Sequence, residues 1–149
     1  VAWCSYSTVI QSRSWLPDGI GGVCWYAVDN PAQSPRIPIF CGSTVLPDAF
    51  EKCGQKEYYP NSVLWEFRRA NKLATLSWQK TKKEFTDNVL EMEAMTFERL
   101  PELEAEYSKA TPRKRARLLN AYTAEIHDKC AARWKELEAK YWSMFGRGF

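Results

Sequence analysis

Glycine and proline are spread unevenly along this chain of 149 residues, and their placement limits what it can fold into. All seven glycines lie at or before Gly54 or at or after Gly146, and the intervening stretch has only Pro60, Pro101 and Pro112 as breakers. Glycine supplies the positive φ that tight reversals need and weakens a helix interior. A glycine-poor second half therefore permits long helices, whereas the first half reads as strands and turns. The chain divides into a strand-and-turn half (1–59) and a helical half (60–149) of one domain.

In the first half three short apolar runs alternate with turn signals. Thr8–Ile10 is followed by Pro17-Asp18-Gly19, Val23–Val28 by Asp29-Asn30-Pro31, and Ile37–Cys41 closes the series. Proline presets one turn torsion, so the pattern predicts an antiparallel meander of short strands. Trp3-Cys4-Ser5 also reads as strand.

The first helix is expected just after Pro60, capped by Asn61 or Ser62, with Val63, Phe67, Ala70, Ala74 and Trp78 on one apolar face. A second stripe runs through Phe85, Val89, Met92 and Thr96 towards Leu103 and Tyr107, with a kink or break at Pro101. Thr111-Pro112 starts the last helix with a capping hydroxyl and a proline in the first position. Leu119, Tyr122, Ile126, Cys130, Leu137, Tyr141 and Met144 form its face, and Gly146 its stop. A helix of that length, about 50 Å, calls for a partner, most simply the helix before it. Trp65, Trp78, Trp134 and Trp142 read as core and interface packing.

A hydrophobic content of 45% and a charged content of 26% are those of a globular protein. No uncharged apolar stretch is long enough for a membrane-spanning helix, and no basic-then-apolar leader is visible. The net charge of +3 comes largely from Arg113-Lys114-Arg115-Ala116-Arg117. Neither that cluster nor Arg68-Arg69 is interleaved with aromatics, so both read as solvated faces and not as nucleic-acid sites. The five cysteines, Cys4, Cys24, Cys41, Cys53 and Cys130, are odd in number, contain no CxxC pair and read as buried free thiols, with a disulfide as the alternative. His127 is the lone imidazole, and with Cys130 it makes two ligands, too few for zinc. No metal or cofactor is expected.

The segments RSWLPDGIGG, WY and DNPAQSPRIPIFCGST, between Arg13 and Thr44, resemble the late part of the dipeptidase A (secernin-like) family of cysteine peptidases. The resemblance weakens through residues 60–83 and is absent beyond Phe85. That family belongs to the N-terminal-nucleophile hydrolases, whose catalytic residue is the first of the mature chain. The resemblance implies a four-layer αββα sandwich and a thiol that attacks the carbonyl of dipeptides or short peptides. The present chain begins Val1-Ala2-Trp3, so it is expected to be a C-terminal part holding no catalytic residue. Cys4 has three residues before it and does not fit the nucleophile's place.

In such an enzyme Arg13 can pair with the substrate's α-carboxylate, with Trp15 walling the pocket and Asn30 offering an amide to the oxyanion. The alternatives are a structural ion pair for Arg13, core packing for Trp15 and a plain turn at Asn30. Gly21-Gly22 lacks the spacing of a phosphate-binding loop. The expected partners are the N-terminal part of the same peptidase, a peptide substrate and further copies in an oligomer, with neither nucleic acid nor membrane. The competing reading is a non-catalytic module whose helical hairpin binds another protein.

Overall fold

Residues 4–146 are described by the computed structural model, an α+β fold with a three-stranded antiparallel sheet ahead of long helices. Trp3, read from sequence as strand, lies outside the described residues, and Cys4 and Ser5 precede the first strand. The three apolar runs become β1 (Tyr6–Ser12), β2 (Gly22–Val28) and β3 (Ile37–Phe40), in the order β1-β2-β3. Val9 stands opposite Trp25 and Trp25 opposite Pro38; on the other face Ile10, Cys24 and Ile39 align. Alternation then buries Val23, Trp25 and Ala27 of β2.

The Pro17-Asp18-Gly19 turn is instead one helical turn, α1 (Asp18–Gly21). The N–H groups of Ile20 and Gly21 both reach the Pro17 carbonyl, at 3.0 and 2.7 Å, which closes helical rings where a plain reversal was expected. A side chain at Gly21 would meet the Arg13 carbonyl at 2.9 Å, so glycine lets α1 approach the end of β1.

The second half forms α2 (Val63–Thr75), α3 (Trp78–Lys109) and α4 (Pro112–Phe145). Ser62 caps α2, its Oγ accepting from the Trp65 N–H at 3.4 Å. The stripe that runs on to Trp78 is divided at Leu76-Ser77, where the Thr81 hydroxyl donates to the Ala74 carbonyl at 3.0 Å and satisfies the helix end. Pro101 does not break α3, which continues through it. Proline removes one donor, but Leu100, Leu103 and Tyr107 are buried on either side and packing outweighs the lost bond. Thr111 precedes α4 as expected, with Pro112 in its first turn, but its hydroxyl makes no capping bond.

α4 packs more extensively on α2 than on α3, the neighbour expected from sequence. Trp134 of α4 lies 5.4 Å from the Phe67 ring of α2 and 6.0 Å from the Phe85 ring of α3. The small residues Ala70 and Ala74, both fully buried, keep the α2 face low enough for a long helix to approach. Trp25 of β2 meets Phe97 of α3, and Phe40 of β3 meets Tyr122 of α4, so the helices cover one face of the sheet. Two expectations about side chains fail. Trp142 is 59% exposed, and of the five free cysteines only Cys130 is buried, with Cys41 and Cys53 exposed.

Candidate substrate cleft

The loop joining β2 to β3 is the most heavily pinned polar segment among the described residues. Its first residue, Asp29, has φ 57°, a left-handed conformation that aspartate tolerates better than most side chains. This turn directs the Asp29 carboxylate towards α2. One oxygen accepts from Arg68 Nε at 2.8 Å and the other from Asn71 Nδ2 at 3.1 Å.

Asn71 is the hub. It is 1% exposed, and its Nδ2 also donates to Ser34 Oγ at 3.0 Å. Its Oδ1 accepts from Trp134 Nε1 of α4 at 2.9 Å, and the same indole N–H reaches the Gln33 carbonyl at 3.2 Å. Gln33 returns a bond to the Asn71 backbone carbonyl at 3.4 Å. Asn30 closes the loop on itself: its Nδ2 donates to Gln33 Oε1 at 2.7 Å, and its Oδ1 accepts from the Ala32 N–H at 3.1 Å. Asp29, Gln33, Ser34, Asn71 and Trp134 are all at least 95% buried, where an unmatched polar group is costly. Their bonds fix the loop against two helices.

Beside this network lies a cleft of about 270 Å³ lined by Cys4, Asp29, Asn30, Gln33, Asn71, Lys72 and Thr75. It offers amide donors on a rigid wall, an exposed ammonium at Lys72 and a half-buried thiol at Cys4. The Cys4 thiol donates to the Tyr6 carbonyl at 3.0 Å. Another hollow, between α3 and α4, is lined by Arg99 and Glu125, but these two charges pair with each other.

Of the three substrate-binding residues expected from sequence, Arg13, Trp15 and Asn30, only Asn30 lies on the cleft, and Cys4, set aside from sequence as the nucleophile, lines it too. Arg13 is 6% exposed, pairs with Glu104 of α3 and donates to the Ile20 carbonyl at 2.5 Å. Trp15 is 74% exposed. Arg13 follows Ser12, which is paired with Gly22 at the start of β2, whereas Asn30 follows its end at Val28. Seven residues of strand put them about 20 Å apart, too far for one dipeptide to touch both.

The remaining chemistry of the sequence is dispersed. His127 has both ring nitrogens engaged, Nε2 with Glu66 at 2.9 Å and Nδ1 with Asp128 at 3.0 Å. Burial pulls its pKa down, but these carboxylates together hold it above the usual imidazole value. Cys130 is fully buried, and desolvation, helped by Glu93, pushes its thiol up to about 12. Cys24 is also raised, by burial first and by Cys41 second. No cluster of three metal-binding side chains occurs among the described residues.

Arg68-Arg69, considered from sequence as a phosphate contact, is spent on ion pairs with Asp29 and Glu138. Asn71 was missed altogether. It stands four residues after Phe67 on the buried face of α2, and an amide on an apolar stripe is a signal that a buried partner awaits it.

No curated protein matches the chain. The description of peptidase family C69 matches residues 2–91, more than half the chain, which takes in all three strands, the pinned loop and α2. The chain thus belongs to peptidase family C69, the dipeptidase A/secernin-like cysteine peptidases.

Proposed function

We propose that this chain forms one wall of the substrate cleft in a thiol enzyme that hydrolyses dipeptides or short peptides, the nucleophile coming from elsewhere in the protein. The observation that carries this reading is the Asp29–Gln33 loop, locked by Asn71 and Trp134 so that Asn30 faces a cleft. Asn30 has committed one amide hydrogen to Gln33, and its second is available to an oxyanion. In the reaction a thiolate attacks the scissile carbonyl, the amine leaves with a proton, and water releases the acyl group.

The chemistry of the described thiols supports a nucleophile outside them. The one imidazole is held by two carboxylates, Cys130 is buried in its protonated form, and no described cysteine has a hydrogen-bonded base. The sheet supports an external partner as well. On the face away from the helices Ile10 is 70% exposed opposite the half-buried Cys24, and Tyr6 is 58% exposed with its ring 5.9 Å from that of the half-buried Tyr26. β1 also has one edge without a neighbouring strand in this sheet. Such surfaces are suited to a second sheet of an αββα sandwich, in the remainder of the enzyme or in a further copy.

The test is release of amino acids from dipeptides by the purified chain, with and without a thiol-blocking reagent. No thiol-dependent turnover is expected. Turnover abolished by Cys4→Ala would place the nucleophile in this chain and overturn the reading. In the nucleophile-bearing enzyme, Asn30→Ala is expected to lower kcat by about 100-fold, the usual cost of one oxyanion donor.

A further inference from the structure

We propose that Lys72 makes this cleft a receptor for the free carboxylate of a short peptide. The inference rests on the cleft being a substrate wall and adds which end of the substrate it reads. Charge supplies the first argument. Asp29 is neutralised by Arg68 at 2.8 Å, which leaves Lys72 as the cleft's uncompensated charge among the described residues, since it takes part in no salt bridge there.

Hydrogen-bond capacity supplies the second. Both amide hydrogens of Asn71 are spent on Asp29 and Ser34, the Thr75 hydroxyl donates to the Lys72 carbonyl, and the Cys4 thiol to Tyr6. With the free N–H of Asn30 facing the oxyanion, the hydrogens left for a second group belong to the Lys72 ammonium and to one N–H of Gln33. A donor-rich, cationic cleft suits a ligand that only accepts, and a carboxylate is the part of a peptide that does so with negative charge. A carboxylate anchored at Lys72 also fixes how far from its C-terminus a peptide is cut, which selects short peptides over interior bonds.

Lys72 lies in the last turn of α2, where a cation also favours the helix end. That role needs no ligand, and the test separates the two. The ¹⁵N-labelled chain is titrated with dialanine and with dialanine amide while the side-chain amide signals of Asn30 and Gln33 are followed. Dialanine is expected to shift both signals and to bind about fivefold more tightly than the amide, the upper range for an exposed ion pair. Lys72→Met should erase that preference, and Lys72→Arg should keep it. Equal affinities for the two probes, or a preference that survives Lys72→Met, overturn the carboxylate assignment and leave the cleft itself standing. If neither probe moves the amide signals, the cleft reading fails along with it.

Discussion

Replacing Asn71 with alanine is the most direct probe of the pinned loop. The side chain makes three bonds, to Asp29 at 3.1 Å, to Ser34 at 3.0 Å and from Trp134 at 2.9 Å. The losses are unequal. The indole N–H keeps the Gln33 carbonyl at 3.2 Å, and Asp29 keeps Arg68 at 2.8 Å. The fully buried Ser34 loses the one side-chain bond it has. A bond to a charged acceptor contributes about 1.5–3 kcal/mol, and an orphaned buried hydroxyl costs about 1–3 kcal/mol. Asn71→Ala should therefore destabilise the chain by about 3 kcal/mol in urea denaturation followed by tryptophan fluorescence. The stranded hydroxyl gives a sharper test. Ser34→Ala should cost about 1 kcal/mol less in the Asn71→Ala background than in the wild type, because the group it removes is already unpaired there. An Asn71→Ala cost below about 1 kcal/mol, or the same Ser34→Ala cost in both backgrounds, would refute the network as the support of the loop.

Three further outcomes are expected. Pro101 is exposed within α3, so Pro101→Ala should raise stability by about 1–3 kcal/mol as a donor and a good helix former are restored; unchanged or reduced stability would contradict this. Because the folded pKa of His127 is raised, its stabilisation is fully present below the unfolded value of about 6.5 and is lost as pH rises through the folded value. Urea midpoints measured across that interval should fall with pH, and His127→Gln should flatten the slope. Iodoacetamide should label exposed Cys41 and Cys53 quickly and buried Cys130 only on unfolding, as peptide mass mapping reads out; early labelling of Cys130 would show that α4 opens locally.

The sequence by itself determined the order of the strands and the long helices. Turn residues around three apolar runs place β1, β2 and β3, and the long glycine-free stretch with Ser62 and Pro112 at its helix starts places α2 and α4, because these are local backbone preferences. The family words were legible too, since they coincide with the segment that builds the sheet and the pinned loop.

Where neighbouring elements compete, only the tertiary structure decided. Pro101 carries a helix-breaking signal that the buried residues around it override, and Leu76-Ser77 divides a stripe that periodicity joins. α4 chose α2 because Trp134 finds Phe67 and the Asn71 amide there, contacts made between residues far apart in the chain. The same reason explains the site. Arg13 and Asn30 lie in one stretch of family-like words, yet β2 carries the chain between them and separates them by its own length. The cleft instead joins Asn30 to Asn71 and Lys72, some forty positions along, because α2 packs against the loop and places those side chains beside it.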